Sequence, residues 1–417
     1  MAFDKNTQAK FDRMNLDENK VKPYKTPEVL QAGNAFEWYN KIRPYYLNEF
    51  KNFMYGDMPP RPDIMEFELI NCKNDVFNNL ATRKIIRMHF KMHSGLSRFA
   101  DMLLYIPKGA KSPVPAFMGL NFASNAACSL EDDIPLSHIK PVKSESRFFD
   151  IIPAQENERG NNAERWPFEE ILKRGYAVAT CYYSEFFLDH LDDGFSNSIF
   201  SLFYPQEQLK RKDNNFGAIG AWAWGLSRML DYMESDKDID ASKVAVLGHS
   251  RLGKTALWAG ACDPRFAMII SNGSGCCGAK LSRRNFGENF EWLLHWRPYW
   301  FHKKLQDYIN REAELHFDQH TLISLCAPRP VYVASGSEDH YADPRGEFTS
   351  LKEAGTVYRL FGSKGLDAAE MPPVGESIQN DLGYHVHKGP HDIASFDWDK
   401  FLDFADLHFE SPFVADF

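Results

Sequence analysis

The stretch Val244–Gly260, VAVLGHSRLGKTALWAG, runs from four apolar residues through a short turn into an apolar helix pattern. Gly248 and Gly253 allow the turn to pass close to both the strand and the helix. Ser250 would then stand at a helix N terminus, where backbone N–H groups can receive an oxyanion. A serine on a sharp strand-to-helix turn is typical of a nucleophile elbow. We therefore predict that Ser250 is a catalytic nucleophile.

The segment departs from the general elbow pattern G-x-S-x-G in one place. Leu252 stands where the pattern has its second glycine, which follows one residue later as Gly253. A strand-turn-helix loop that binds phosphate is the main alternative. Such a loop would need the spacing G-x-x-x-x-G-K-[ST], which the segment lacks. The elbow is therefore the better interpretation.

Apolar strand patterns alternate with helical patterns along most of the chain. A sheet is predicted to begin at Thr82, with strands at 82–90, 98–107, 114–122, 176–183, 243–250, 266–274, 329–337 and 383–389. Helices are predicted at 168–175, 216–235, 251–262 and 396–409. This alternation indicates a mostly parallel sheet with helices on both faces, whose ligands bind beyond the carboxyl ends of the strands. Together with the elbow, it predicts an α/β-hydrolase fold, which is a three-layer sandwich.

The chain has 417 residues, of which 44% are hydrophobic, and it contains no linker rich in Gly, Ser or Pro. We predict one catalytic domain over residues 81–417, preceded by an N-terminal extension of residues 1–80 that packs on the core. The extension is polar and interrupted by prolines, with one helix predicted around Phe36 to Tyr46. Its first 30 residues contain no apolar run of signal-peptide or membrane-span length, so we expect a soluble chain without membrane contact.

Charge and cysteine content exclude several classes of partner. The net charge is -9, and Lys and Arg are interspersed with acids, so nucleic acid is not an expected partner. The seven cysteines lack Cys-x-x-Cys spacing and predict neither a zinc site nor a dense disulfide framework. They leave the redox compartment open. A monomer is expected.

Acid and base candidates follow Ser250 in the chain order that α/β hydrolases use, which is serine, acid and then histidine. The turn-rich loop after the strand at 329–337 offers the acids Glu338, Asp339 and Asp343, and the loop KGPHD after the last strand carries His391. A serine hydroxyl attacks only when an imidazole accepts its proton, and a carboxylate fixes the tautomer of that imidazole. We predict His391 as the base and Asp339 as the acid. The two neighbouring acids stay open as alternatives.

Three histidines near the C terminus could suggest a metal site. His385, His387 and His391 alternate along the chain, but no HExxH motif or carboxylate-rich motif accompanies them. We therefore expect no metal.

The string G-H-S-R-L-G-K resembles the signature G-x-S-R-x-G-K of glucuronoyl esterases, carbohydrate esterase family 15, particularly of their bacterial members. Further similar stretches are GLNFASN (119–125), RWPFEEILKRGYAVAT (165–180), RRNFGENFEWLLHW (283–296) and CAPRPVYVASGSEDHYADPRGEF (326–348). The resemblance spans about residues 80 to 410. It implies a serine esterase, without a cofactor, that cleaves the ester between 4-O-methyl-glucuronate of glucuronoxylan and lignin alcohols. It also implies a secreted or periplasmic location.

The resemblance assigns roles to residues around the elbow. Ser250 would be the nucleophile and His391 the base, and Arg251 would act at the oxyanion. Lys254 and Glu288 would hydrogen-bond to hydroxyls of the glucuronate. Basic residues at a helix N terminus oppose the helix dipole, so two cations there favour a functional role.

The loop E-D-H-Y-A-D-P resembles a family loop in which an Asp, here Asp339, is the triad acid. An aromatic residue two positions later contacts the sugar; many relatives have Trp there, and this chain has Tyr341. Fungal members instead place a Glu after the strand that follows the nucleophile helix. This sequence reads Asn-Gly-Ser-Gly at 272–275, with glycine at that acid position. The resemblance therefore leaves Asp339 as the one carboxylate that serves the histidine.

The last candidates are aromatic residues between Phe286 and Phe301. This aromatic run comprises Phe286, Phe290, Trp292, Trp296, Tyr299, Trp300 and Phe301. Aromatic faces stack well on sugar rings and on lignin-like rings, although core packing is an equal alternative for most of these residues. We predict a substrate contact for Trp296 alone.

Two other functions compete with this one. An acetyl or feruloyl xylan esterase would use the same triad, but it would not need Lys254 and Glu288, which matter only when the sugar is on the acyl side. A catalytically silent carbohydrate-binding protein would not need an intact triad. A peptidase fits less well.

Overall fold

The computed structural model describes residues 5–30, 32–140, 155–209 and 216–409. Within these ranges, ten strands form one sheet. They are β1 Ile64–Asp75, β2 Ala81–Lys91, β3 Ser97–Pro107, β4 Val114–Asn121, β5 Ala177–Tyr182, β6 Ile239–His249, β7 Met268–Asn272, β8 Val331–Gly336, β9 Ser377–Gln379 and β10 Leu382–His387. Their order is β1-β2-β3-β5-β4-β6-β7-β8-β10-β9. The strands from β5 to β10 in this order run parallel, whereas β1, β2, β3 and β9 pair antiparallel at the two edges.

The α-helices of six or more residues connect and cover these strands. They are α1 Lys5–Phe11, α2 Arg43–Phe50, α3 Phe168–Lys173, α4 Ala218–Met233, α5 Arg251–Cys262, α6 Phe290–Trp296, α7 Gln319–Ser324, α8 Pro344–Tyr358 and α9 Ser395–Phe409. Helical turns at Ala35–Glu37, Trp38–Ile42 and Lys51–Tyr55 extend α2 at both ends. The helix predicted around Phe36 to Tyr46 lies within this continuous stretch.

The two faces of the sheet are buried in separate cores, because successive strand side chains point to opposite faces. In β6, Val244 and Val246 face a large core that also holds α4, α5 and α8. Ala245 and Leu247 face a second core closed by α3 and α9. Helix, sheet and helix thus form three layers, and the predicted α/β-hydrolase fold is confirmed.

The sheet begins earlier than the sequence predicted. The expected start was Thr82, but β1 at 64–75 already pairs antiparallel with β2. The first half of β1 alternates apolar and polar residues from Met65 to Leu69, but its second half is polar and most of its side chains are exposed, so the sequence analysis assigned the segment to the polar extension. The proposed extension of residues 1–80 therefore contributes one strand to the sheet. Residues 1–4 and 31 of the extension lie outside the described residues.

The structure also shows the state of the cysteines and the length of the apolar helices. All seven cysteines have free thiols, and five of them are buried. No helix in the described part of the chain is both long and apolar enough to cross a membrane.

Candidate active site

The elbow is formed where β6 ends and α5 begins. Ser250 lies between them with φ 57° and ψ -127°, a conformation that residues with a Cβ rarely adopt. Its backbone N–H donates to the carbonyl oxygen of Asn272, 2.8 Å away at the end of the neighbouring strand β7. The serine is thus held on a sharp turn at the carboxyl edge of the parallel strands, where ligands bind in such sheets.

The two glycines of the elbow are required by close contacts. A Cβ on Gly248 would lie 2.0 Å from the carbonyl oxygen of Leu252. A Cβ on Gly253 would lie 3.0 Å from the Cβ of Ser274. Leu252 itself is 1% exposed, with its side chain in the core. The second glycine therefore comes one residue late because position 253, and not position 252, faces the loop after β7.

His391 and Asp339 are paired directly. Nδ1 of His391 lies 2.5 Å from Oδ2 of Asp339, although 52 residues separate them in the chain. The Asp339 side chain is 2% exposed and also accepts a hydrogen bond from the backbone N–H of Ala342. The His391 side chain is 41% exposed and lines the cavity described below.

The two alternative acids are engaged elsewhere. Glu338 is exposed to solvent. Asp343 caps α8 by accepting from the backbone N–H of Gly346, and it forms a buried ion pair with Arg284, in which Nε lies 2.9 Å from Oδ2. Among the three candidate acids, Asp339 is the one that reaches His391.

Gly273 packs against this pair. Its φ is +52°, and a Cβ there would lie 3.3 Å from Nδ1 of His391 and 3.5 Å from Oδ2 of Asp339. The position that the fungal pattern fills with glutamate is thus within reach of the histidine, but it carries no side chain in this protein.

All eight site residues proposed from the sequence line one cavity of about 390 Å³. They are Ser250, Arg251, Lys254, Glu288, Trp296, Asp339, Tyr341 and His391. The sequence analysis left Trp292 and Trp300 open between core and cavity, and it missed the further lining residues Phe11, Leu293, Arg297 and Ala342. A cavity of this size can enclose a monosaccharide unit together with a small alcohol.

The guanidinium of Arg251 is held at the wall of the cavity. Its Nη1 donates to Oδ2 of Asp189, and its Cζ lies 4.6 Å from the centre of the Trp300 ring. Burial raises the pKa of the Asp189 carboxyl. The positive charges of Arg251 and Arg297, together with the hydrogen bonds from Trp300 and Tyr299, outweigh burial and bring that pKa below its ordinary value. Both members of the pair are therefore charged.

Lys254 and Glu288, two polar residues of the cavity wall, each make a hydrogen bond to a backbone carbonyl oxygen. Nζ of Lys254 donates to the carbonyl oxygen of Ser274, and the lysine is 4% exposed. The backbone N–H of Glu288 donates to the carbonyl oxygen of Tyr341 at 2.9 Å, which joins two parts of the cavity wall. Tyr341 is 42% exposed and stands at the mouth.

The aromatic run divides between core and cavity. Trp296, which the sequence predicted as a contact, lines the cavity together with Trp292 and Trp300. The remaining members belong to the interior: Phe286, Phe290, Tyr299 and Phe301. Sequence spacing could not separate the two groups, because α6 ends at Trp296 and the residues from Arg297 onwards no longer follow the helical period.

Part of the cavity wall comes from the N-terminal segment. The ring of Phe11 lies 5.4 Å from that of Trp292 and 6.0 Å from that of Tyr341. The segment is fastened nearby, because Arg13 pairs with Glu291. Farther along, the carbonyl oxygen of Asn15 accepts from the backbone N–H of Gly287, and Glu18 pairs with Arg284. No sequence pattern indicates this role, since the partners are more than 260 residues away.

The three C-terminal histidines do not converge on one point. Nε2 of His385 and Nδ1 of His387 lie 2.7 and 2.8 Å from Oδ1 of Asp397, whereas His391 turns to Asp339. Nε2 of His387 also lies 3.1 Å from the carbonyl oxygen of Pro390. Because both partners of His387 accept, both of its ring nitrogens donate and the imidazole is cationic. These hydrogen bonds fix the loop that carries His391. The ligand atoms of His385, His387 and Asp397 lie within 4.8 Å of one another.

The chain is similar in sequence and in structure to known carbohydrate esterases. A family model described as glucuronyl esterase of fungi matches residues 189–362. A carbohydrate esterase from an unknown prokaryotic organism is 41% identical over 407 residues, which cover 94% of this chain and 92% of that protein. A 4-O-methyl-glucuronoyl methylesterase of Wolfiporia cocos is 34% identical over 170 residues, 39% of this chain and 41% of that protein. The solved structure of a glucuronoyl esterase from Solibacter usitatus is similar with a TM-score of 0.86 and 38% identity, over 94% of this chain and 100% of that one.

Proposed function

Because the chain belongs to carbohydrate esterase family 15, the glucuronoyl esterases, we propose that it hydrolyses esters of 4-O-methyl-glucuronate or glucuronate. The sugar acid would be the acyl part, and the alcohol would come from lignin. One observation carries the proposal: the cavity that contains Ser250, His391 and Asp339 is also lined by Lys254 and Glu288, which suit sugar hydroxyls. The match with enzymes named 4-O-methyl-glucuronoyl methylesterases supports this substrate.

The proposed first step is acylation. Oγ of Ser250 attacks the ester carbonyl carbon while His391 accepts the hydroxyl proton, and Asp339 stabilises the resulting imidazolium through Nδ1. The negative charge on the carbonyl oxygen is balanced by Arg251 and by backbone N–H groups at the start of α5. The bond to the alcohol oxygen then breaks, and the alcohol leaves with the proton from His391.

The second step is hydrolysis of the acyl-enzyme. Water attacks the same carbonyl carbon, and His391 takes its proton. The bond to Oγ then breaks, Ser250 recovers a proton from His391, and the free glucuronic acid departs. The residues need no cofactor or metal for either step, because the histidine moves every proton.

Substrate binding would use the remaining wall of the cavity. Lys254 and Glu288 would bind the sugar hydroxyls, while Trp296 and Tyr341 would provide aromatic contact surface. Because a substrate from plant cell walls does not enter the cytoplasm, the protein would work in the periplasm or after secretion. We propose that it works as a monomer.

The test compares the protein with its Ser250→Ala variant on benzyl glucuronate, methyl glucuronate and the matching galacturonate, with 4-nitrophenyl acetate as a general esterase substrate. Cleavage that depends on Ser250 and favours the glucuronates is expected. Activity on the acetate alone would favour an acetyl esterase. No activity on any of these esters would favour a carbohydrate-binding protein without catalysis.

A further inference from the structure

Asp189 is a buried carboxylate with an unusual number of donors. Its side chain is 2% exposed, and it lies 62 residues before Arg251 in the chain. Besides Nη1 of Arg251, it accepts from the hydroxyls of Tyr183 at 2.8 Å and Tyr299 at 2.7 Å and from Nε1 of Trp300 at 2.8 Å. Apart from Arg251, these donors come from two separate parts of the chain, at 183 and at 299–300, so the carboxylate is also fixed independently of the elbow.

Arg251 has little else to fix its orientation. Its Cζ lies 4.6 Å from the Trp300 ring centre and 5.7 Å from that of Phe122, and such ring contacts attract the charge without selecting one N–H group. Nε is buried and has no hydrogen-bond partner among the described residues. The bond from Nη1 to Asp189 therefore decides which nitrogen faces the cavity.

We propose that Asp189 is a positioning residue, which holds the Arg251 guanidinium towards the carbonyl oxygen of an ester bound at Ser250. The inference rests on the proposed function, in which Arg251 meets the oxyanion. A donor that is already oriented stabilises developing charge without reorganising during the reaction. An arginine without its carboxylate would sample other directions, and its contribution to the transition state would fall.

The first test is a double-mutant cycle with Asp189→Asn and Arg251→Ala. Asp189→Asn keeps the size of the side chain but removes its charge. We expect a loss of about 10²-fold in kcat, similar to the loss of one oxyanion donor, with a smaller change in KM. In the Arg251→Ala background the same substitution should change kcat by less than about three-fold, because Asp189 acts through Arg251. Losses that multiply fully in the double variant would overturn the proposal.

The second test uses chemical rescue and does not depend on the stability of Asp189→Asn. Removing the arginine side chain leaves the Asp189 carboxylate facing an empty guanidinium site. Methylguanidinium should therefore restore kcat to Arg251→Ala in a saturable manner, and it should not restore kcat to Ser250→Ala. Absence of rescue in Arg251→Ala would overturn the proposal.

A matched control separates positioning from general stability. Asp101 pairs with Arg87 at 2.8 and 2.9 Å, and neither residue lines the cavity. Asp101→Asn should lower the melting temperature and leave kcat unchanged, whereas an equal loss of kcat in both Asp variants would contradict the inference. If the wild type cleaves 4-nitrophenyl acetate and no glucuronate, the proposed substrate fails, but the cycle can still be measured on the acetate.

Discussion

Nδ1 of His391 and Oδ2 of Asp339 lie 2.5 Å apart, and Gly273 packs against both residues without a side chain of its own. This contact distinguishes Asp339 from the other two acids of its loop. It also explains how one carboxylate can serve the histidine, since the Asp339 side chain is almost fully buried and accepts the hydrogen bond from Nδ1–H directly.

Asp339→Asn should remove most of the activity. The amide keeps the shape of the carboxylate but favours the wrong tautomer of His391, so we expect kcat to fall by about 10⁴-fold with little change in KM. Steady-state kinetics on methyl glucuronate measure this effect. Glu338→Gln, an exposed neighbour, is the control and should stay within about two-fold of the wild type. An equally large loss in Glu338→Gln would show that the acid was assigned incorrectly.

His387→Gln should loosen the loop that carries His391. The substitution removes the cation beside Asp397 and the donor to Pro390, and each lost buried hydrogen bond costs about 1–3 kcal/mol. We expect a lower free energy of unfolding in urea and a lower kcat. His93→Gln, at a side chain that is 79% exposed, should change neither quantity. Unaltered kcat in His387→Gln would mean that the loop keeps its position without this hydrogen bond.

Glu347→Gln should flatten the dependence of stability on pH. Burial raises the pKa of Glu347 to about 8, from 4.5 in an exposed carboxyl, while Gly275 and Ser335 donate to it. Between these two values the folded protein keeps a proton that the unfolded chain releases. Stability therefore falls as the pH rises through this window. Glutamine resembles the protonated acid, so the variant should lose less stability than the wild type between about pH 5 and about pH 8.

Urea unfolding across this pH range provides the measurement. Glu185 has a raised pKa of about 8 for the same reason, so part of the slope should remain in the variant. Glu353→Gln, an exposed position on the same helix α8, should keep the full slope of the wild type. Parallel curves for the wild type and Glu347→Gln would contradict the prediction.

Phe11→Ala should weaken substrate binding and not the chemical step. The ring lies at the mouth of the cavity beside Tyr341, so its loss removes contact surface for the sugar. We expect KM for a glucuronate ester to rise by about 3- to 10-fold, with kcat and the melting temperature little changed. Phe36→Ala is the control, because that ring is 77% exposed and does not line the cavity. A fall in kcat without a rise in KM would argue against a binding role.

The features that the sequence predicted are those with a local pattern. The elbow around Ser250 combines an apolar strand, two glycines and an apolar helix within 17 residues, and the parallel strands are short apolar runs. Strand β1 was missed because it is a mostly exposed edge strand whose alternating pattern covers only its first half. The choice among three acids depended on the path of a loop, which local patterns do not determine.

The remaining site residues depend on contacts between distant parts of the chain. Asp189 lies in the run EFFLDH, which looks like any loop until Tyr299 and Trp300, more than 100 residues later, are brought against it. Phe11 likewise gains its place only through α6. Within the aromatic run, Trp300 lines the cavity although it is as buried as Phe286, so the separation of core from cavity depends on where the whole fold places each ring.

The attachment of residues 11–18 has a consequence for engineering. The nucleophile, base and acid are held by loops at the ends of strands in the sheet, whereas Phe11 belongs to a segment outside it, joined to the wall by a few polar contacts of Arg13, Asn15 and Glu18. The contact that Phe11 makes at the mouth of the cavity is thus structurally separate from the bond-breaking residues. Replacing residues 11–18 with the matching segment of a relative should change the substrate contacts at the mouth of the cavity. The nucleophile, base and acid should stay in place.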